Sequence, residues 1–258
     1  MRILTKRRKF VLSSFLLSFG LFLLSMIGFK GKYQAIAILS LMAGFFTFWS
    51  LRGAAFNLAK WVTPILPIFF TAGVALFYFL LPAEPLTVLP VLVVYFLGMY
   101  ALFLTENIFS VASLRTINLF RSASAVGFLL TLLTAFFLDN TIISLKLAFW
   151  ENFLAILVVS FPLVLSGLWS VKLEEKLSWN LVVCSFAIAF FLAQLAAAIS
   201  FWPVTVTVGS IFLTACLYVL LGLAEASLSE RLFKRTVIEY LSVGLAVFLI
   251  MLVYTQWG

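Results

Sequence analysis

Leu104-Thr105-Glu106-Asn107-Ile108-Phe109-Ser110-Val111-Ala112-Ser113-Leu114-Arg115-Thr116-Ile117-Asn118-Leu119-Phe120-Arg121-Ser122 is the longest polar interruption in an otherwise apolar chain. Four apolar spans precede it and five follow. Read as a break between membrane segments rather than as the surface of a soluble domain, it decides the fold class. Of the 258 residues, 65% are hydrophobic and only 10% are charged. A soluble domain has about a quarter of its residues charged, so this chain has too little polar surface to meet water. No polar block is long enough to fold alone, and no Pro/Ser-rich linker divides the chain. The expectation is an all-α fold: a polytopic helical membrane bundle, one integral membrane domain over 1–258.

A crossing helix needs about 20 apolar residues for about 30 Å of hydrocarbon. By that criterion the spans are 10–28, 33–51, 62–81, 86–104, 123–138, 150–169, 179–200, 206–224 and 237–255. That predicts about nine transmembrane helices. The fifth is the shortest, and the fourth has a second reading in which it runs on through Glu106 as one long helix. Arg2, Lys6, Arg7, Arg8 and Lys9 precede the first span, a pattern shared with signal peptides. The apolar run is long for a signal peptide and no small-x-small cleavage site precedes Lys30, so it reads as an uncleaved first helix.

Threaded with the N-terminus inside, the nine spans leave Lys30, Lys32 and Lys146 on the outer face. The other members of the 17 Lys and Arg fall inside. This asymmetry is the positive-inside signal, and it puts the C-terminus outside. Trp49, Trp61, Trp150, Trp169, Trp179, Trp202 and Trp257 all fall at span ends, where an indole prefers the headgroup layer. The outer links are tight, except for 139–149, which reads as a surface loop. The inner links 170–177 and 227–239 alternate charged and apolar residues. They read as helical segments lying flat in the interface, with Glu230 and Lys234 four apart as a favourable pair.

Composition also excludes function classes. The chain has no histidine, which removes imidazole-based catalysis and histidine metal or haem ligation. The net charge of +8 follows from the positive-inside pattern and anionic lipid, so no nucleic-acid partner is expected. Cys184 and Cys216 sit inside spans and read as small hydrophobes. There is no Walker loop, no dinucleotide fingerprint, no zinc spacing and no acidic pair in an outer loop. No cofactor, metal site or catalytic residue is therefore expected.

The candidate polar site comprises Glu106, Asn107, Arg115, Arg121, Gln194 and Glu225. On a helical wheel Glu106, Asn107, Ser110, Ser113, Asn118 and Arg121 share an arc, with Leu114 and Ile117 intruding. One reading is a polar cluster at the inner mouth of the bundle, where Glu106 seeks Arg115 or Arg121. The other is an interfacial elbow whose charges face water and phosphates, and this reading is favoured. A charge buried in a span is a functional hypothesis by default, and that default weakens at the interface. Glu225 stands at the inner end of the eighth span. Gln194 is the only amide deep in a span and reads as hydrogen-bonding glue between helices. Pro162, mid-span, predicts a kink.

Two patterns concern packing. Small residues recur every four positions at Ala123, Gly127, Thr131 and Ala135, and at Ser185, Ala189, Ala193 and Ala197. Such stripes allow close helix approach, within the bundle or against a partner, with in-chain packing the preferred use. A weak repeat also appears in 122–258. Gly167-Leu168, Leu173, Glu175-Lys176-Leu177 and Val182 recur 55 residues on as Gly222-Leu223, Leu228, Glu230-Arg231-Leu232 and Val237. It suggests a parallel hairpin duplication; the alternative is chance likeness between similar hairpins.

Leu104-Thr105-Glu106-Asn107-Ile108-Phe109, Ala125-Val126-Gly127-Phe128-Leu129-Leu130-Thr131 and Phe201-Trp202-Pro203-Val204 resemble segments of an uncharacterised polytopic membrane family from small-genome, uncultivated bacteria. The likeness spans roughly 90–250. It implies a bacterial inner membrane and transfers no functional residue. The favoured expectation is a structural or assembly subunit of a membrane complex, with membrane lipids and a protein partner or second copy as its contacts. The alternative is a small transporter or lipid-handling protein, and a third reading is an intramembrane enzyme using Glu106 or Glu225.

Overall fold

The computed structural model describes residues 5–25, 31–51, 59–81, 85–112 and 119–255. The elements are α1 (Lys6–Ser25), α2 (Lys32–Leu51), α3 (Ala59–Val62), α4 (Ile65–Tyr78), α5 (Pro85–Ala112), α6 (Phe120–Ser144), α7 (Phe149–Lys172), α8 (Trp179–Ile199), α9 (Val206–Leu228) and α10 (Lys234–Val253). No strand occurs among the described residues. Among the described residues eight segments are long and apolar enough to cross a membrane, and the protein is a multi-pass helical membrane protein. The first expected span is helical in α1. Its first turn is Lys6, Arg7, Arg8 and Lys9, so the described apolar part covers 10–25 only.

The helices form two compact units, Met1–Thr134 and Ala135–Gly258. In the first unit α1 packs on α2 and α5, and α4 packs on α2 and α5. Phe10 stacks on Phe103 with ring centroids 6.2 Å apart. Phe70 stacks on Tyr95 at 5.9 Å, and the Phe70 ring edge would lie 2.6 Å from a Cβ on Gly98. That glycine lets a full aromatic ring lie against the α5 backbone. The Tyr95 hydroxyl lies 3.0 Å from Thr71 Oγ1, which donates to the Pro67 carbonyl at 2.8 Å. Hydrocarbon supplies no partner for such groups, so they are satisfied inside the bundle. The same device recurs along the spans: Ser14, Thr47, Thr131 and Ser185 each donate to the carbonyl four residues back.

In the second unit α7 and α8 form a tightly packed hairpin, α9 lies against both, and α10 packs on α9. Ser185, Ala189 and Ala193 are fully buried, as are Ala123, Thr131 and Ala135 on α6. Both stripes are therefore used inside the chain. Trp169 Nε1 donates to the Glu174 carbonyl at 3.1 Å, and Trp202 Nε1 to Thr255 Oγ1 at 2.9 Å. These indoles pin loops as well as mark the interface.

Several boundaries differ from expectation. The 62–81 span is interrupted: Pro64, at φ −78°, caps α4 after the short α3. It lacks the N–H that would continue the ladder. α6 runs on to Ser144, so most of the expected outer loop 139–149 is helix. The Thr141 hydroxyl returns to the Phe137 carbonyl at 2.8 Å, and Ile142 is buried, which carries the helix past Asp139 and Asn140. The inner links are not flat helices. Leu173 and Glu230 adopt left-handed φ of 50° and 56°; Leu173 caps α7, and Glu230 follows Ser229, the cap of α9. Glu230 therefore has no helical register with Lys234. The pair formed instead is Arg235 with Glu239, at 2.9 Å within α10. Pro162 lies inside an uninterrupted α7.

Candidate functional site

The second reading of the fourth span is the correct one. α5 continues through Glu106 to Ala112, a helix of 28 residues or about 42 Å at 1.5 Å per residue. Glu106 therefore stands about 9 Å inside the described end of a transmembrane helix. It is not in a surface elbow. Its side chain is 4% exposed, between Thr105 at 3% and the half-buried Asn107.

Local sequence explains the burial. Glu106 follows Leu102 and Phe103, both wholly buried, and precedes Phe109 and Ser110, buried one turn on. The partner surface is α6. A Cβ on Gly127 would lie 3.2 Å from the Phe109 ring and 3.4 Å from the Thr105 methyl, so a bare backbone lets α6 close over the polar turn. Phe120 meets Phe109 edge-on at 6.0 Å. On the other side of α5, the Phe10 stack brings α1 and its basic first turn alongside.

No cation among the described residues pairs with the carboxylate. Among the described residues the sole ion pair is Arg235 with Glu239. The neighbouring Asn107 Oδ1 is buried and lacks a partner among the described residues. Arg121 is exposed in the first turn of α6 and does not pair with Glu106. Arg115 falls outside the described residues. Lys9 is occupied elsewhere, its Nζ 4.9 Å from the Trp49 ring centroid. An uncompensated carboxylate in such surroundings carries a desolvation cost of several kcal/mol, which only a proton, a cation or a hydrogen-bond donor offsets.

The remaining site residues lie in the second unit and are not gathered into one site. Gln194 is exposed on α8, on the side away from the buried Ala189 and Ala193. It forms no hydrogen bond among the described residues. Glu225 is half-buried near the end of α9. Tyr218 and Tyr240 pair beside it with ring centroids 5.0 Å apart, and the Tyr240 ring lies against Gly222 with no room for a Cβ.

Sequence reading missed a second buried polar group. Asp139 is 4% exposed, Asn140 7% and Asn152 5%. Asn152 Nδ2 donates to Ser200 Oγ at 2.9 Å while its Oδ1 is buried without a partner among the described residues. The available signal was Thr141-Ile142-Ile143, an apolar continuation that keeps Asp139 inside a helix. The Asp-Asn pair looked instead like the start of a loop.

No curated protein and no solved structure matches the chain. The sequence pattern of one family does, over residues 13–254, and the chain belongs to that family, described as "Protein of unknown function (DUF5656)". An uncharacterised family was the expectation, and the match extends beyond the 90–250 region.

Proposed function

We propose, with that membership as the premise, that this protein is a small proton-coupled transporter of the bacterial inner membrane in which Glu106 is the exchanging carboxyl. The observation that supports this reading is the burial of Glu106 within a membrane helix with no ionic partner among the described residues. Intramembrane acids are costly, and those that persist mark proton or substrate pathways by default. The Asn107 oxygen beside it offers a place for a hydrogen-bond donor, so a protonated or amine-bearing group could be received there. The Lys and Arg distribution supports an N-terminus in the cytoplasm and, after nine crossings, a C-terminus outside. Glu106 then sits near the cytoplasmic edge of its span.

The test is proton flux. Vesicles reconstituted with the protein and loaded with a pH-sensitive dye should dissipate an imposed pH gradient faster than empty vesicles. Glu106→Gln should return the rate to the empty-vesicle baseline. Undiminished flux through that variant refutes the role. Paired phosphatase and fluorescent-protein fusions at the C-terminus check the threading; a fluorescent, phosphatase-negative result contradicts the outward C-terminus.

A second reading, an assembly subunit, is favoured by α10. Its only buried residue is Met251, so nearly its whole apolar length is turned outward. Lipid suffices to cover it, but a partner protein or second copy would fit the same face. Native mass spectrometry of the protein extracted from its own membrane distinguishes these. A stoichiometric protein partner supports assembly, and a monomer carrying lipid alone counts against it.

A further inference from the structure

The outer flank of α1 carries a feature that neither reading uses. Arg7, Arg8, Val11, Leu12 and Phe15 of α1, with Phe96 of α5, line an open groove of about 490 Å³. Its volume is in the range of small-molecule sites. Val11, Leu12 and Phe15 are 45%, 44% and 62% exposed, whereas the opposite face of α1, including Phe10 and Leu17, is buried. The groove thus has an apolar floor along the span, and at one end the stems of Arg7 and Arg8 form part of its wall.

The guanidinium groups of Arg7 and Arg8 have no ion-pair partner among the described residues. The sequence holds no Asp or Glu before Glu84. Lys9, next to them, already faces Trp49. Two such arginines at one end of an apolar trough match a ligand with a phosphodiester head and a hydrocarbon tail. Guanidinium binds phosphate oxygens in a bidentate fork, and a basic cluster at a span end attracts anionic headgroups.

We propose that this groove is a binding site for one anionic phospholipid of the surrounding bilayer. Its phosphate sits on Arg7 and Arg8, and one acyl chain lies along Val11, Leu12, Phe15 and Phe96. The site is independent of Glu106, so each can fail without the other. A free phosphate lacks the chain that the floor would hold, and a zwitterionic lipid carries an ammonium that the two arginines repel.

The experiment is lipid retention by the full chain in mild detergent, read by native mass spectrometry. Phosphatidylglycerol, phosphatidylcholine and inorganic phosphate are added in separate arms. The unaltered protein should hold one phosphatidylglycerol in preference to phosphatidylcholine, and equimolar inorganic phosphate should not displace it. The double variant Arg7→Gln, Arg8→Gln should lower retention by about thirtyfold, the scale expected for two basic residues at an anionic surface. Arg2, Lys6 and Lys9 remain to hold the first helix in its orientation. A charge-matched control, Arg231→Gln with Lys234→Gln, should leave retention unchanged. Leu12→Asp, with the arginines intact, should also weaken it by placing a carboxylate in the chain's path.

Equal retention of phosphatidylcholine overturns the proposal, as does displacement by phosphate. An undiminished signal from the double arginine variant does the same. A second copy of the chain in place of the lipid would assign the groove to an oligomer interface and overturn it too.

Discussion

Glu106 and Glu225 are both carboxylates close to the end of a membrane helix, yet their surroundings differ in kind. Glu106 is 4% exposed, on the turn of α5 whose Thr105 and Phe109 meet Gly127 of α6. Glu225 is half-buried, three residues from the end of α9, with tyrosine rings beside it. A carboxylate that can reach water needs no function to explain it. One that cannot must be met by a proton or a ligand for the fold to keep it. The comparison assigns significance by access to water rather than by residue type, since both side chains are glutamates.

The sharpest way to break the comparison is to neutralise each acid in turn. Glu106→Gln should abolish pH-driven flux in vesicles, and Glu225→Gln should leave most of it. Equal loss from both variants would show that the half-buried acid also lies on the pathway. Loss from Glu225→Gln alone would reverse the assignment. The two variants serve as each other's folding controls, because each replaces a carboxylate with a near-isosteric amide.

This contrast was only partly legible in the sequence. The spans, the polytopic class and the candidacy of Glu106 follow from composition and hydropathy. What could not be read was whether 104–122 bends at the interface or carries its helix onward, because amphipathic spacing fits both. Tertiary contact decides it: Gly127 lets α6 close over Thr105 and Phe109, so the turn bearing Glu106 is covered. The same limit hid Asp139, because a polar pair followed by a short apolar run is a loop or a continuing helix depending on its neighbours. Gln194 differs: it lies within α8, but the small-residue stripe of α8 faces α7 and leaves the amide exposed. Spacing along a helix gives the faces, and only packing tells which face is covered.

Glycine substitutions extend the comparison to packing. At Gly222 an added Cβ has no room beside the Tyr240 ring. Gly222→Ala should turn that ring outward, break the Tyr218–Tyr240 pair and destabilise the protein by about 1–2 kcal/mol, within the range for overpacking. The readout is unfolding in detergent, together with faster proteolysis at the 229–233 link. Flux should be unchanged, because Glu106 is untouched. Gly127→Ala, beside the Glu106 turn, is the milder change. The added carbon meets Phe109 at 3.2 Å, a contact relieved by a shift of a few tenths of an ångström. Alanine's helix preference, about 0.5–1 kcal/mol over glycine, offsets that squeeze. The expected stability change is near zero, while any widening of the α5–α6 contact should register as altered flux. A stability loss at Gly127 as large as that at Gly222 would mean that the cover over Glu106 is rigid.

The smallest effect belongs to the one ion pair among the described residues. Arg235 and Glu239 are 2.9 Å apart, but their side chains are 91% and 62% exposed. A solvated i,i+4 pair contributes about 0.2–0.5 kcal/mol and weakens with salt. Arg235→Ala should therefore change the unfolding midpoint within error and leave flux intact. The value of this near-null measurement lies in where α10 sits. Its packing within the chain is confined to one side, and only Met251 is buried. If Arg235→Ala proved neutral in purified protein but destabilising in native membrane, a partner would have to be drawing on the start of α10. That outcome would move weight from the buried acid of α5 to the uncovered helix at the other end of the sequence. Neutrality in both settings leaves α10 a lipid-facing helix and Glu106 the group with chemistry to explain.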